Sequence, residues 1–239
     1  MKYLLTALIS LCVSFVQASV ITDAEAPDFS LVDSFGKTVS LSDFSGSTVV
    51  LEWTNHDCPF VAKHYKTGNM QSTQEYAKEG GAIWLTIISS APGTQGYVLP
   101  DTANELTTSR NALPQHVLFD PEGDVGLMYG AKTTPHMYVI DASGILRYQG
   151  AIDDAGGRGF NFKNLLEADN YVKNALKEIQ SNQVVTTKVS KPYGCSVKYK
   201  VTGSRMKRDT INSAAVVATI TAEDIQRSPA LTTADALRI

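Results

Sequence analysis

The chain has 239 residues, of which 43% are hydrophobic and 19% are charged, and its formal net charge at pH 7 is −3. These fractions are typical of globular proteins, and the length suffices for one substantial core and a smaller additional segment. The mildly negative charge and the absence of a basic cluster argue against nucleic acid as a partner.

The first element is a predicted secretory signal peptide over residues 1–18. It has Lys2, an apolar stretch over 3–16, and the small residue Ala18 at the expected cleavage point. The apolar stretch is shorter than the ~20 residues of a membrane-spanning helix; a retained anchor is the alternative. We therefore predict export, with no stable membrane span after cleavage.

The next elements predict a β-hairpin and the beginning of an α/β domain. Alternating apolar positions in 26–46 surround a turn and predict the hairpin. The continuous apolar run in 47–55 predicts a strand that is buried on both faces. A helix-compatible segment follows over 59–78, interrupted near Gly68, and residues 82–89 predict a second buried strand.

Strands and helices continue to alternate along the chain. We predict a helix over 102–112, a strand over 116–120 and a short helical turn over 124–130. Residues 136–152 predict two strands joined by an Asp-x-x-Gly turn, and 165–179 predict an amphipathic helix. This order predicts a three-layer α/β domain with a mixed sheet, because the last two strands form a hairpin.

Signal cleavage would remove Cys12 and leave Cys58 and Cys195 in the mature chain. An even number of cysteines in an oxidising compartment permits a disulfide. One interpretation is a structural disulfide that closes a long loop, and the other is a redox-active pair.

Cys58 lies between a predicted buried strand and a helix, with Pro59 at the first helical position, which proline tolerates well. A thiol at a helix N-terminus meets unpaired backbone N–H groups and the positive end of the helix dipole. Both favour the thiolate, which is the nucleophilic form. A protonated His56 would add to this effect and Asp57 would oppose it. We predict a reactive thiol with a lowered pKa.

The sequence Thr134-Pro135 directly precedes a predicted strand. In a chain with a Cys-Pro helix start, this is a place where we expect a cis peptide bond, which is otherwise a minor form of X-Pro bonds. An ordinary trans proline at the start of a strand is the alternative.

Three segments, "APDFSLVDSFGKTVSLSDFSG", "VVLEWTNHDCPF" and "TTPHMYVID", together resemble the thioredoxin-fold redoxins. They are most similar to the peroxiredoxin-like group of the alkyl hydroperoxide reductase and thiol-specific antioxidant superfamily, over about residues 25–199. The resemblance implies a thioredoxin-like α/β/α sandwich with an N-terminal β-hairpin. It also implies that Cys58 is the attacking thiol and that Thr134 and Pro135 form the substrate-binding loop beside it.

The chain departs from the family patterns at two places. Thioredoxins have a second cysteine three residues after the first, where this chain has Val61. Peroxiredoxins have Pro-x-x-x-Thr/Ser-x-x-Cys, where this chain has Leu51 and Asn55. Neither the usual dithiol nor the usual peroxide-activating pocket is therefore present in its standard form.

Cys195 stands in "KPYGCSVKY", and similar endings close proteins of the peroxiredoxin-like group. This resemblance implies that Cys195 lies near the native end of the domain, where it could resolve an oxidised Cys58. A structural disulfide, independent thiols and an intermolecular bond are the alternatives.

Other titratable residues have weaker signals. His56, His64 and His136 could form a metal site with Cys58, but we predict no metal because His64 would face another side of its helix. Glu52 lies within a buried strand, where an acidic residue is unusual unless it is paired or transfers protons. A position at an exposed strand end is the alternative.

Residues 200–239 differ in character from the rest of the chain and contain no aromatic residue. Their "VTGSR" and "AEDI" segments resemble the start of the plug domain of TonB-dependent outer-membrane receptors. We predict a poorly ordered tail, either the product of a fused, frameshifted or truncated gene or a sorting or docking segment that associates with a receptor. The resemblance implies a Gram-negative envelope, and hence the periplasm.

We therefore predict a signal peptide over 1–18, a redoxin domain over 19–199 and a tail over 200–239. The predicted function is periplasmic thiol–disulfide exchange with a thiol or disulfide protein as partner and no cofactor. One alternative is a thiol-dependent peroxidase with a hydroperoxide substrate. The other is a non-catalytic binding module with a structural disulfide.

Overall fold

The computed structural model describes residues 20–156, 165 and 167–200. The predicted signal peptide and the plug-like tail from residue 201 onward lie outside the described residues. The strands are β1 (Ser30–Asp33), β2 (Thr38–Ser40), β3 (Val49–Trp53), β4 (Ile83–Ile88), β5 (His116–Phe119), β6 (Thr133–Thr134), β7 (His136–Ile140), β8 (Leu146–Gly150) and β9 (Cys195–Ser196). The α-helices are α1 (Pro59–Lys66), α2 (Asn69–Glu79), α3 (Pro100–Ser109), α4 (Asp124–Tyr129) and α5 (Tyr171–Gln180), and a 3-10 helix spans Leu41–Phe44.

Seven strands form one mixed sheet in the order β2-β1-β5-β4-β3-β7-β8. β3, β4 and β5 are parallel, whereas β7, β8 and the hairpin β1–β2 pair antiparallel with their neighbours. The mixed α/β sheet and the N-terminal hairpin confirm the predicted fold class. A separate pair of two-residue strands, β6 and β9, was not predicted.

Both faces of the sheet are buried, as the continuous apolar run of β3 predicted. On one face, Val50 belongs to a core cluster that includes side chains of α1, α2 and α5. On the other face, Leu51 and Trp53 pack with side chains of α4 and of the segment before β1. The alternation along β3 therefore produces three layers, with the sheet in the middle. The helical layer that covers Leu51 and Trp53 consists of short helical elements.

Three predicted helices have bounds that differ by more than one residue in the structure. The helix predicted over 102–112 spans Pro100–Ser109. The segment 59–78 forms α1 and α2, because Gly68 adopts a left-handed conformation with φ of 76° between them. The helix predicted from residue 165 begins at Tyr171, and the earlier start was wrong. Asn170 caps this helix, since its side chain accepts a first-turn backbone N–H at 2.9 Å.

The described helices include none that is long and apolar enough to cross a membrane. The fold brings four separate pieces of chain together at one place: the start of α1, the junction of β6 and β7, the loop after β4, and a C-terminal segment containing β9. We call this last segment, residues 190–200, the strap.

Candidate active site

Cys58 is the N-cap residue of α1 and is fully buried. Its backbone N–H donates to the Asn55 carbonyl at 3.1 Å, which closes the turn after β3, and its carbonyl accepts the Ala62 N–H at 2.9 Å. Pro59 occupies the first helical position, as the sequence predicted. This local geometry directs the thiol toward the β6–β7 junction.

The Cys58 sulfur is in contact with the predicted loop. Its thiol donates to the Thr134 carbonyl oxygen at 3.0 Å. The Thr134–Pro135 peptide bond is cis, which confirms the prediction for this bond. The structure therefore places Thr134, and with it Pro135, beside Cys58.

Cys195 reaches the same place from the strap. β9 pairs antiparallel with β6, so that Cys195 is opposite Thr134. Its backbone N–H donates to Cys58 Sγ at 3.4 Å, although the two residues are 137 positions apart in the chain. Both cysteines are free thiols in this structure.

The approach of the strap depends on Gly194, whose φ is +143°. A Cβ atom at this position would lie 2.0 Å from the Thr134 carbonyl oxygen. Only glycine allows the two backbones to come this close without a shift.

The pKa values of the two thiols move in opposite directions. Burial raises the pKa of Cys58, but hydrogen bonds from Cys195, from the Val61 N–H and from the Thr134 side chain outweigh burial and lower it below its ordinary value. Burial, together with a hydrogen bond and the charge of Cys58, raises the pKa of Cys195 to about 11. These directions favour Cys58 over Cys195 as the thiol that ionises first.

The direction of the Cys58 pKa shift agrees with the prediction, but its cause differs in part. The Val61 N–H is a helix N-terminal donor, as expected. His56 Nε2 instead pairs with the neighbouring Asp57 at 3.1 Å. The donors contributed by Cys195 had no signal in the local sequence around Cys58.

Asn55 lies at the position of the peroxiredoxin hydroxyl residue, but its side chain forms hydrogen bonds with other parts of the chain. Its side-chain oxygen accepts the Asp57 N–H at 2.9 Å, and its amide group donates to the Gln95 carbonyl at 3.2 Å. The Asn55 side chain thus fastens the turn before Cys58 to the loop after β4.

Glu52 is fully buried in the middle of β3, which rules out the exposed strand end. Its Oε2 accepts hydrogen bonds from Trp84 Nε1 at 3.0 Å and from the hydroxyls of Thr86 and Tyr65 at 3.2 Å each. Burial raises the pKa of this carboxyl group, although these hydrogen bonds oppose the rise.

Two of the histidines that were candidate metal ligands, His64 and His136, are buried in separate hydrogen-bond networks. His136 Nδ1 accepts the Lys132 N–H at 3.2 Å, and burial lowers its pKa to about 3. His64 contacts the strap through Tyr193, with 3.0 Å between His64 Nε2 and the Tyr193 oxygen. Sequence reasoning missed Tyr193, and no pattern connects it with His64.

The sheet order, the cysteine at a helix N-terminus and the adjoining cis-proline define a thioredoxin-like α/β protein with two adjacent thiols. A model of the AhpC/TSA family matches residues 22–149, which is more than half of the chain. The chain belongs to the AhpC/TSA family, and this membership supports an oxidoreductase, as the sequence predicted.

Two solved structures with TM-scores above 0.5 show the same fold. A hypothetical protein from Sinorhizobium meliloti is 22% identical, with a TM-score of 0.66, and the match covers 77% of this chain and 98% of that chain. An uncharacterized conserved protein from Geobacillus kaustophilus is 23% identical, with a TM-score of 0.65 and coverage of 76% and 94%. The thioredoxin domain of a thiol-disulfide oxidoreductase from Bacteroides vulgatus is 20% identical, with a TM-score of 0.44 and coverage of 62% and 97%. No curated protein matches the chain.

Proposed function

We propose that this protein is a periplasmic thiol–disulfide oxidoreductase in which Cys58 attacks and Cys195 resolves. The observation that carries this proposal is the 3.4 Å contact between the Cys195 N–H and Cys58 Sγ. The opposite pKa shifts of the two thiols support their different roles, because the attacking group must be a thiolate. Thr134 and Pro135 form the wall of the site beside Cys58.

In the first step, the Cys58 thiolate attacks one sulfur of a disulfide in a thiol or disulfide protein. A mixed disulfide forms between Cys58 and the partner, and the second partner sulfur leaves as a thiolate that takes up a proton. The donors from Val61 and Cys195 stabilise the Cys58 thiolate before this attack.

In the second step, Cys195 attacks Cys58. Once Cys58 is in a mixed disulfide, its negative charge no longer raises the pKa of Cys195, so that Cys195 loses its proton more readily. The Cys195 thiolate then attacks Cys58 Sγ, forms the Cys58–Cys195 bond and releases the remaining partner thiolate. The substrate disulfide gains two electrons and two protons, and another thiol protein must then supply two electrons and two protons to reduce the Cys58–Cys195 bond. No organic cofactor or metal is required.

The periplasmic location rests on the predicted signal peptide over 1–18 and on the envelope-related resemblance of the tail. In this proposal the redoxin domain is 19–199, and residues 200–239 are an appendage.

A thiol peroxidase is the second candidate, because Cys58 is fully buried beneath the strap, where a hydroperoxide fits more readily than a protein disulfide. In that reaction the Cys58 thiolate takes the outer hydroperoxide oxygen to become a sulfenic acid, and an alcohol leaves. Cys195 then attacks Cys58 Sγ and releases water. Asn55 supplies no hydroxyl at the peroxiredoxin position, and its side chain bonds to Asp57 and Gln95 instead. This favours disulfide exchange over peroxide reduction.

The test uses the protein without residues 1–18, reduced and then treated with a disulfide substrate or with one equivalent of hydrogen peroxide. Mass mapping should show a Cys58–Cys195 bond, and Cys195→Ser should accumulate the mixed disulfide or the sulfenic acid. Cys58→Ser should abolish both reactions. A pre-formed bond that resists reduction down to roughly −300 mV would instead indicate a structural disulfide and would refute catalysis.

A matched rescue tests whether Cys195 acts as a resolving thiol. The Val61 N–H already donates to Cys58, so a thiol at this position would lie close to it. We expect Val61→Cys in the Cys195→Ser background to restore turnover, whereas Val61→Ser should not. Failure of both, with the proteins folded, would argue that Cys195 has another role.

A further inference from the structure

A closed ring of side-chain hydrogen bonds holds the strap just before Cys195. The Tyr193 hydroxyl donates to Asp153 Oδ1 and lies 3.0 Å from His64 Nε2. Asn69 Nδ2 closes the ring with distances of 2.9 Å to His64 Nδ1 and 2.8 Å to Asp153 Oδ2. His64 and Asp153 are both buried, so that water cannot replace these bonds.

The donors and acceptors of this ring match in one arrangement when Asp153 is a carboxylate. Tyr193 has a single hydroxyl proton, which goes to Asp153, so His64 Nε2 must carry a proton and donate to the phenolic oxygen. His64 Nδ1 is then an acceptor for Asn69. The imidazole is therefore neutral, in agreement with burial lowering the pKa of His64 to about 4.

The aromatic ring of Tyr193 is half-buried and packs against two chain segments. It makes an edge-to-face contact with Phe60, at the start of α1, with 5.9 Å between ring centroids. In the segment after β8, Gly156 also lies against the ring, and a Cβ atom added to it would be 2.2 Å from Tyr193 Cδ1. The position of this side chain is therefore set both by packing and by hydrogen bonds.

This anchor matters because β9, which carries Cys195, contains only two residues. Cys58 and Cys195 are 137 positions apart in the chain. The effective concentration of one thiol at the other therefore depends on how firmly the intervening chain is held. We propose that Tyr193 is a positioning residue that sets the effective concentration of Cys195 at Cys58. The proposal rests on the redox pair proposed above.

The test measures the equilibrium between the Cys58–Cys195 disulfide and dithiothreitol in the protein without residues 1–18. When the bond forms, the two thiols lose two electrons and two protons to the disulfide of oxidised dithiothreitol. Tyr193→Phe keeps the aromatic ring but leaves His64 Nε2 without an acceptor and removes one of the two donors to Asp153 Oδ1. We expect the equilibrium constant for forming the Cys58–Cys195 bond to fall roughly tenfold to hundredfold. The reason is that an unpaired buried polar group destabilises the strap position that brings Cys195 to Cys58.

Tyr129→Phe is the matched control. It also removes a buried hydroxyl, which donates to the Pro27 carbonyl at 2.6 Å in the other core layer. It should lower the free energy of unfolding without changing the disulfide equilibrium. A second readout is the ultraviolet absorbance of the Cys58 thiolate, whose midpoint should move to higher pH in Tyr193→Phe because the Cys195 N–H is withdrawn.

An unchanged equilibrium constant and an unchanged thiolate midpoint in folded Tyr193→Phe would overturn the proposal for Tyr193 alone. If that variant does not fold, Asn69→Ala decides the question. It breaks the same ring from α2, and we expect a smaller fall in the equilibrium constant; no fall would overturn the proposal. A wild-type protein that never forms the Cys58–Cys195 bond would overturn both this proposal and the proposed function.

Discussion

The buried carboxyl group of Glu52 gives a prediction that links stability to pH. Glu52 is fully buried, and burial raises its pKa above its ordinary value of 4.5. The native state therefore retains a proton that the unfolded chain releases. The stability that this proton contributes is fully present below pH 4.5 and is lost as the pH rises through the folded-state pKa. Between the two pKa values the loss is about 1.4 kcal/mol per pH unit.

Glu52→Gln should remove this dependence without breaking the network. Glu52 Oε2 accepts bonds from four side chains, whereas Oε1 accepts a bond from Tyr65, whose hydroxyl can turn and act as an acceptor. A glutamine can therefore place its oxygen at the Oε2 position and direct its NH₂ group toward Tyr65. Glu52→Ala would leave Trp84 Nε1 without an acceptor, and each such buried donor costs about 1–3 kcal/mol.

The assay is urea denaturation of wild type and Glu52→Gln from about pH 5 to about pH 8. The difference in the free energy of unfolding should shift in favour of Glu52→Gln as the pH rises, until the folded-state pKa of Glu52 is passed, and histidine titrations common to both proteins cancel in this difference. Glu79→Gln, which makes the same change on the surface, is the control. Parallel curves for wild type and Glu52→Gln would refute the reasoning.

Three further predictions concern the strap, a helix cap and the thiols. Gly194→Ala should displace the strap, because its Cβ would lie 2.0 Å from a backbone oxygen, and mass mapping should show loss of the Cys58–Cys195 bond. Asn170→Ala should lower the free energy of unfolding by about 1 kcal/mol, measured in urea, because α5 loses its N-cap. Ultraviolet titration of the reduced protein should show the Cys58 thiolate forming below the ordinary thiol pKa of ~8.5 and that of Cys195 well above it.

The features that could be predicted from the sequence depend on residues close together in the chain. The hairpin β1–β2 follows from alternation around one turn. The two-sided burial of β3 follows from the continuous apolar run in 47–55, and all five residues of the strand are buried. The helix start at Cys58-Pro59 is likewise local. The cis Thr134–Pro135 bond was predicted from its place before a strand together with that helix start.

The features that could not be predicted depend on contacts between distant segments. His64, Asp153 and Tyr193 belong to three different parts of the chain, and no periodicity links them. β9 is too short to produce an alternating pattern. Glu52 could not be placed because its burial is compensated by donors from Trp84 and other residues far along the chain.

In the proposed mechanism, the resolving thiol is on the strap, which differs physically from a resolving thiol one helical turn from the attacking cysteine. In a Cys-x-x-Cys arrangement, the helix itself fixes the second thiol, whereas here Val61 occupies that position and tertiary contacts alone hold Cys195. The same strap lowers the pKa of Cys58 by donating hydrogen bonds to its sulfur. Movement of the strap would therefore weaken the nucleophile and remove the resolving thiol at once. In the proposed mechanism, Cys58 is therefore most nucleophilic when Cys195 is in place, which would limit the time that an oxidised Cys58 remains unresolved.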